Sequence, residues 1–320
     1  MTLSAIVPVW NGRDLLARLF ASLEAQTQPA SEVIVVDNGS TDGAPDLARA
    51  RGARVISMGR NAGFAAAVNR GIRESRGTSV AVLNSDVELA PDYFAVLTAA
   101  GAPLATGKIF SAVARDRLDG TFDAISRGGL AWRVGQGRAD ASAFRARREI
   151  SLVPWTAVVI RADLFEKVGV LDEMFESYLE DVEFGLRCAS QGITGLYVPE
   201  AVAWHHGSAS LGRWHSETVR RLARNQCYLV ALYYPRRFAW EILVGQALWG
   251  LVALRHGAGI GWCRGKWQGI RQSLRLRKKE PAASESLFRH QEDVIYAIQR
   301  ETGFDWYWRL YFWLTGTAAK

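Results

Sequence analysis

Residues 32–43, EVIVVDNGSTDG, carry the pattern on which the fold prediction rests. The apolar, β-branched half is typical of a buried strand, and it ends at Asp37 in residues that favour turns. Apolar runs and helix-like stretches alternate on both sides of it. The runs lie at 3–9, 53–58 and 79–84, and the helix-like stretches at 13–25, 43–51 and 64–75. This alternation predicts an α/β fold with a parallel sheet and covering helices.

Polar residues follow each of these four predicted strands directly. Ligands of open α/β sheets bind outside the carboxyl ends of the strands, so we expect these residues to share one cleft. Turn formation explains any single cluster equally well, because turns prefer Asn, Asp and Gly. The clusters are Trp10-Asn11-Gly12, Asp37 to Gly43, Arg60-Asn61-Ala62-Gly63 and Asp86-Val87-Glu88.

Two of these clusters contain acids suited to nucleotide chemistry. Asp86 and Glu88 could hold Mg²⁺ or Mn²⁺ beside a pyrophosphate, since Mg²⁺ usually binds one or two carboxylates plus phosphate oxygens. Two loop acids are also commonly just solvated. Asp37 could accept hydrogen bonds from a nucleobase or ribose, or it could cap the helix that follows. Arg60, Asn61 and Asn69 are the residues that could complete a nucleotide site.

Further acids and histidines occur in the second hundred residues. Residues 171–187 hold six acids, and a helix is predicted to begin near Glu180. Because adjacent helix positions point in different directions, one of Glu180 and Asp181 could face the cleft and act as a general base. His205 and His206 follow a strand-like run at 197–204, where a histidine can bind a metal. The sequence leaves open which of the two would do so.

Together these clusters resemble the family 2 glycosyltransferases, particularly the rhamnosyltransferase-like branch that builds bacterial surface polysaccharides. Each piece is weak alone, but their order and spacing over roughly residues 3–210 make the combined match specific. The matching pieces are Ile6 to Gly12, Val35 to Gly43, Asn61 to Phe64, Asn69-Arg70-Gly71, Leu83 to Glu88, Leu171-Asp172-Glu173, Glu180-Asp181, and His205-His206 with Ser208.

The resemblance implies a GT-A fold, a Rossmann-like nucleotide-binding sheet with helices on both faces, and an inverting, metal-dependent sugar transfer. It makes Asp181 the base that deprotonates the acceptor hydroxyl. The implied nucleotide-sugar contacts are Pro8, Trp10, Asn11, Asp37, Arg60, Asn61, Asn69 and Asp86; the acceptor contacts are Trp155 and Glu180; and the metal contacts are Asp86, Glu88, His205 and His206.

The chain departs from the family pattern at three positions. Ser85 replaces the usual Pro between Asn84 and Asp86, Thr156 replaces a Gly, and Glu183 replaces an Asp. The change at Thr156 lies on the acceptor side, so the identity of the acceptor stays open.

The C-terminal third differs in composition from the rest. We predict a catalytic domain at 1–210, with a nucleotide-sugar part at 1–100 and an acceptor part at 101–210, followed by a helical extension at 211–320. Residues 211–280 contain fourteen Lys and Arg against three Glu, while the whole chain of 320 residues carries +7. The apolar stretch at 238–254 is short for a membrane span and contains two polar residues, which favours a helix lying in the headgroup region. Packing on the catalytic domain or on a partner subunit is the alternative.

These features together predict a cytoplasmic enzyme, peripheral on the inner face of the cell membrane. Three separated cysteines, Cys188, Cys227 and Cys263, indicate neither a zinc site nor a disulfide framework, and the N-terminus does not resemble a secretory signal. The basic segment contains Arg271, Arg275, Arg277, Lys278 and Lys279 and is too apolar for a nucleic-acid tail. The expected partner is therefore an anionic membrane surface, and a homo-oligomer is left open.

The predicted reaction moves L-rhamnose from dTDP-rhamnose to a lipid-linked or polysaccharide acceptor in cell-surface glycan synthesis. A UDP-hexose or UDP-galactofuranose donor stays open, because nothing in the sequence reports on the hydroxyls of the sugar.

Two other classes of protein remain as alternatives. A nucleotidyltransferase would carry a Gly- and Lys/Arg-rich phosphate loop near the N-terminus, which residues 7–12 lack. A non-catalytic scaffold would bind a nucleotide sugar without turnover.

Overall fold

The computed structural model describes residues 2–207, 212, 214–276 and 285–316. The chain divides into two compact units. The first comprises 1–122, 135–188 and 192–210, and the second comprises 123–134, 189–191 and 211–320. Residues 123–134 thus belong with the C-terminal helices, whereas the sequence-based division placed them in the acceptor part. Ser208, Arg277, Lys278 and Lys279 lie outside the described residues.

The strands and helices alternate through the first unit, and helices dominate the second. The strands of the described residues are β1 (Leu3–Val9), β2 (Glu32–Asp37), β3 (Arg54–Ser57), β4 (Ser79–Leu83), β5 (Val87–Leu89), β6 (Leu104–Ser111), β7 (Leu118–Gly120), β8 (Asp123–Ile125), β9 (Ala131–Arg133), β10 (Arg148–Ile150), β11 (Ala157–Arg161) and β12 (Gly195–His205). The α-helices are α1 (Arg13–Glu24), α2 (Ala44–Ala50), α3 (Phe64–Glu74), α4 (Tyr93–Ala99), α5 (Asp163–Val168), α6 (Glu180–Ser190), α7 (Ser216–Tyr233), α8 (Ala239–Arg255), α9 (Gly259–Ser273), α10 (Glu285–Thr302) and α11 (Trp306–Thr315).

A mixed sheet forms the centre of the first unit. Its order is β10-β12-β6-β11-β4-β1-β2-β3, with β5 on β12 and β7 on β6. The parallel arrangement predicted for β1 to β4 is confirmed. Strand β11 runs antiparallel to both β4 and β6, and β12 runs parallel to β6. The carboxyl ends of β1, β2, β4, β6 and β12 therefore meet at one edge.

The central strands of this sheet are buried on both faces. Every residue of β1 is buried. Side chains alternate between faces, so Val7 packs in the core cluster that includes α1, whereas Ile6 faces α3. A Cβ at Gly71 of α3 would lie 2.4 Å from Cγ2 of Ile6. This glycine lets the helix approach the sheet closely.

The second unit combines the β8-β9 hairpin with α7 to α11. Three glycines spaced four residues apart on α9 face the α7 backbone, and a Cβ at Gly265 would lie 2.2 Å from the carbonyl oxygen of Arg220. The other two are Gly261 and Gly269. Small residues at this spacing let two helix backbones pack in contact.

Among the described residues, one helical segment has the length and composition to cross a membrane, namely Arg236–Arg255 with a mean hydropathy of 1.2. Of its most apolar window, 28% is buried inside the protein.

Candidate active site

Three side chains from separate segments converge at the carboxyl edge of the sheet. Oδ1 of Asp86, which follows β4, lies 3.1 Å from Nε2 of His205 at the end of β12. Nδ1 of the same histidine lies 2.9 Å from Oδ2 of Asp119 in β7. The side chains of Asp86, Asp119 and His205 are between 11% and 17% exposed. His205 is thus held between two carboxylates with little access to solvent.

This environment favours the charged form of the histidine. Burial opposes the charge, but hydrogen bonds and the negative charges of Asp119 and Asp86 outweigh it and raise the pKa of His205 to about 10. The imidazolium can then donate from both ring nitrogens, one to each carboxylate. A metal ion at Nε2 would have to displace the proton that lies between His205 and Asp86, because only a neutral imidazole nitrogen binds a metal.

The second histidine pairs with a different acid. Nε2 of His206 lies 2.9 Å from Oε1 of Glu88. Two arginines also approach the Glu88 carboxylate, Arg18 at 3.6 Å and Arg115 at 3.9 Å. The structure therefore brings His205 to Asp86 and His206 to Glu88, a pairing that the sequence left open.

The loops after β1 and β2 are bonded to each other. The backbone N–H of Asn11 donates to Oγ of Ser40, and its side-chain Oδ1 accepts from the N–H of Thr41. Asp37 is 5% exposed, and its carboxylate accepts the N–H of Ser40 at 2.9 Å. Pro8 is buried within β1 opposite Val36. Asn11 and Asp37 thus hold the loops after β1 and β2 in place.

The loop after β3 is held by a residue that sequence analysis did not single out. Nδ2 of Asn38 donates to the carbonyl of Gly63, and its Oδ1 accepts the N–H of Ala62. This bridge leaves Arg60 and Asn61 exposed, as is Trp10 after β1. In the sequence Asn38 is indistinguishable from an ordinary turn residue, and its position next to Asp37 is the one signal that could have identified it.

The loop that precedes α6, residues 176–179, has strained backbone and is hydrogen-bonded to the start of α3. The residues Glu176, Tyr178 and Leu179 have φ values of 58°, 74° and 68°, in the left-handed region that non-glycine residues rarely adopt. The carbonyl of Glu176 accepts the N–H of Ala65, and Oγ of Ser177 accepts the N–H of Phe64. Loop 176–179 therefore satisfies two of the free N–H groups at the N-terminus of α3.

We expect Gly63→Ala to lower the free energy of unfolding by about 1 to 3 kcal/mol more than Gly59→Ala. Both glycines have positive φ, but a Cβ at Gly63 would lie 2.7 Å from the carbonyl oxygen of Glu176, whereas nothing lies within 4 Å of one at Gly59. Urea denaturation of both variants measures the difference. Equal losses would show that loop 176–179 moves aside at no cost.

The two adjacent acids at the start of α6 differ in exposure. Glu180 is 6% exposed, whereas Asp181 is half-buried. The Asp181 carboxylate accepts the N–H of Trp155 at 3.3 Å and that of Val182 at 2.9 Å. The carbonyl of Thr156 in turn accepts the N–H of Asn84 at the end of β4. Segment 155–156 thus links Asp181 to the strand that carries Asp86.

Two predicted contact residues lie inside the protein. The Trp155 indole is 1% exposed and packs against Phe184, with ring centroids 5.0 Å apart. Asn69 is 1% exposed, and its amide bonds to the backbone N–H and C=O of Leu171 and to Oε1 of Glu173. These bonds occupy the amide of Asn69, and packing encloses the indole of Trp155. We therefore do not propose either side chain as a ligand contact.

Asp86 and His205 fit the two protein positions of a divalent metal. Two ligands at right angles on an ion with bonds of ~2.1 Å lie about 3.0 Å apart, close to the 3.1 Å seen here. Among the described residues, no group of three or more His, Cys, Asp and Glu has the geometry of a complete metal site. The remaining ligands would have to come from phosphate oxygens and water, as is usual for Mg²⁺.

Asp119 was not predicted as a site residue. It is one of five acids in residues 101–150, whose sequence shows no regular pattern, and nothing in the sequence connects it to a histidine 86 positions later. Its bond to Nδ1 fixes the orientation of the His205 ring.

Comparison with known proteins identifies the family. The model for glycosyl transferase family 2 matches residues 4–168. The chain belongs to this family. It is 30% identical over 227 residues to the N-acetylglucosaminyl-diphospho-decaprenol L-rhamnosyltransferase of Mycobacterium tuberculosis, which covers 62% of this chain and 74% of that protein. The resemblance to the rhamnosyltransferase-like branch is thereby confirmed.

Solved structures confirm the GT-A fold of this glycosyltransferase. GalNAc-T7, solved with UDP, GalNAc and Mn²⁺, has a TM-score of 0.65 at 14% identity over 95% of this chain and 58% of its own. The mannosyltransferase PcManGT of Pyrobaculum calidifontis, in complex with GDP-Man and Mn²⁺, has a TM-score of 0.52 at 16% identity over 98% of this chain and 86% of its own. The chain thus spans less than two thirds of GalNAc-T7. At these identities the likeness concerns the fold alone.

Proposed function

We propose that this chain is an inverting, divalent-metal-dependent glycosyltransferase that moves L-rhamnose from dTDP-rhamnose to a lipid-linked glycan. The observation that carries the proposal is the link between Asp181 and the end of β4 through segment 155–156. These two bonds connect the proposed base to the strand that Asp86 follows, and Asp86 in turn pairs with His205. The name of the mycobacterial relative supports the sugar and the lipid-diphosphate acceptor.

In the proposed reaction, Asp181 removes the proton from an acceptor hydroxyl while the oxygen attacks the anomeric carbon. The bond from that carbon to the donor diphosphate breaks on the opposite face, so the configuration inverts. Half-burial keeps Asp181 reachable, and the N–H of Trp155 fixes its direction. A divalent ion held by Asp86 and His205 would stabilise the charge that develops on the leaving diphosphate.

Donor binding is proposed for the exposed residues that border the cleft. Trp10 could stack on the nucleobase, and Arg60 and Asn61 could contact the ribose and phosphates, since all three are exposed. Asp37 and Asn11 hold the loop against which the nucleotide would lie. Asp119 keeps the proton on Nδ1 of His205, which directs Nε2 towards Asp86.

The lipid-linked acceptor also defines the proposed location. We infer a cytoplasmic enzyme that works at the inner face of the cell membrane, where such acceptors present their glycan. Arg18 and Arg115, two exposed arginines near Glu88, are proposed to contact anionic groups of donor or acceptor.

His205→Asn is expected to raise the Mn²⁺ concentration needed for half-maximal activity by at least about ten-fold, because it removes one of two protein donors. His206→Asn is the matched control, since His206 pairs with Glu88, and it should change this concentration by less than about three-fold. Titration of chelator-treated protein with Mn²⁺ measures both. If His206→Asn raises this Mn²⁺ concentration more than His205→Asn does, the metal site would be assigned to Glu88 and His206 instead.

Turnover of a donor panel tests the proposed function directly. The purified chain is incubated with dTDP-rhamnose, UDP-galactofuranose and UDP-hexoses, with Mg²⁺ or Mn²⁺ and a lipid-linked acceptor mixture, and nucleoside diphosphate and pyrophosphate are both quantified. Metal-dependent release of dTDP that rises with acceptor is expected. Release of pyrophosphate would indicate a nucleotidyltransferase, and donor binding without release would indicate a scaffold.

A further inference from the structure

The exposed large apolar residues are concentrated in the second unit. Of fourteen such residues in the described part of the chain, twelve lie in this unit, eleven on its helices and one directly after α9. The two others are Trp10 and Val113. Large exposed apolar patches on a folded protein mark interaction sites rather than ordinary surface.

Within the second unit these residues follow the helical period. Each of α8, α9 and α11 exposes one stripe and buries the opposite face, which contains Gly245 and Ala253 in α8 and Tyr311 and Phe312 in α11. The stripes are Trp240, Leu243, Leu251 and Leu254 on α8; Ile260, Trp267 and Ile270 on α9, with Leu274 directly after it; and Trp306, Leu310, Trp313 and Leu314 on α11.

The three stripes adjoin one another. Nε1 of Trp240 donates to the carbonyl of Leu314 at 3.1 Å, which joins the stripe of α8 to that of α11. At the other end of α8, Leu254 lies beside Gly259, which directly precedes Ile260 on α9. A Cβ on Gly259 would lie 3.1 Å from Cδ1 of Leu254. The helices therefore carry one continuous apolar surface, which we name the outer helix surface.

The charges beside the stripes of α8 and α9 are of one sign. Residues 236–276 contain seven Lys and Arg and a single acid, Glu241, which is 13% exposed and bonded to Arg127. Exposed arginines stand next to the apolar stripes, and the guanidinium of Arg271 lies 5.0 Å from the ring centre of Trp267. The others are Arg255, Arg264 and Arg275. A second copy would bring the same positive charge against it, whereas an anionic bilayer complements it.

We propose that the outer helix surface docks this enzyme onto an anionic bilayer. Its tryptophan and aliphatic side chains enter the headgroup region, and its arginines contact lipid phosphates. Helix α8 lies on the bilayer and does not cross it, because Gln246 bonds to the carbonyl of Gly128 and Glu241 to Arg127 within the second unit. The inference deepens the proposed function, which requires a lipid-linked acceptor at the same surface.

Vesicle co-sedimentation of the full chain tests the docking. Wild type should bind vesicles that contain phosphatidylglycerol more tightly than vesicles of phosphatidylcholine alone. Trp267→Ser with Leu274→Ser should lower the affinity by about ten-fold or more, while Val113→Ser, which changes an exposed residue outside the surface, should leave it unchanged. Arg264→Gln, Arg271→Gln and Arg275→Gln should each cost about five-fold, on the anionic vesicles only.

Three outcomes would overturn the proposal. The first is that wild type binds neither kind of vesicle. The second is that Val113→Ser loses as much vesicle affinity as Trp267→Ser with Leu274→Ser. The third is that this double substitution converts a dimer to a monomer in lipid-free buffer. Circular dichroism checks that each variant is folded. The vesicle assay contains neither donor nor acceptor, so it is independent of turnover. If the chain binds vesicles but turns over no donor, the proposed function alone is wrong. If the chain is active on a water-soluble acceptor but does not bind vesicles, this inference alone is wrong.

Discussion

Asp181→Asn is expected to reduce the rate of sugar transfer by about 100- to 10 000-fold, while the affinity for the donor stays within about three-fold. The amide keeps one acceptor oxygen for the N–H of Trp155 or Val182, so the start of α6 keeps its position. What is lost is the carboxylate that takes the proton of the acceptor hydroxyl. The measurement is kcat and KM for dTDP-rhamnose, together with donor affinity by calorimetry.

The control for this experiment is Glu166→Gln, which alters an exposed acid of α5 in the same unit and should leave kcat unchanged. A loss of less than ten-fold in Asp181→Asn would mean that another group takes the proton. Glu180 is then the first residue to examine, although it is 6% exposed. Loss of donor binding together with kcat would instead point to a structural role for Asp181.

Glu292→Ala is expected to destabilise the protein by about 3 to 5 kcal/mol, because it leaves the charge of Arg127 buried with one partner fewer. Glu292 is 1% exposed and accepts from the backbone N–H and Nε of Arg127 and from the hydroxyl of Tyr311. Burial opposes the charge on Arg127, but Glu292, Tyr311 and Glu241 outweigh it and raise its pKa. The network joins the turn between β8 and β9 to α8, α10 and α11.

The matched control is Glu285→Ala on the same helix α10. Glu285 pairs with Arg289 and Arg237, both exposed, so its loss should destabilise the protein far less than the loss of Glu292. Urea denaturation followed by circular dichroism compares the two. Similar losses for both variants would show that the buried network adds nothing beyond an ordinary surface pair.

The N-terminal half of the sheet could be predicted because its signals are local. Strands β1 and β2 begin and end where their apolar runs do, and α6 begins at Glu180 as expected. A buried strand of a parallel sheet needs a continuous apolar run, and the turn residues after it are fixed by backbone conformation. Both requirements are met within a dozen residues, so they are visible in the sequence.

The candidate site could be predicted as a set of residue types but not as a set of pairs. The motifs pointed to Asp86, Glu88, His205, His206 and Asp181, whereas the pairing of His205 with Asp86 and Asp119 depends on which strands lie side by side. That order is set by how the whole sheet packs, including β11 between β4 and β6.

Contacts between residues far apart in the chain were settled in the same way. Asn69 and Trp155 carry family motifs, yet their side chains are enclosed by Leu171 and Phe184, which no local pattern places beside them. Residues 123–134 join the C-terminal helices through Arg127 and Glu292, 165 positions apart. Local periodicity encodes elements and their exposed ends, but the free energy that selects partners for buried polar groups arises only when distant segments pack together.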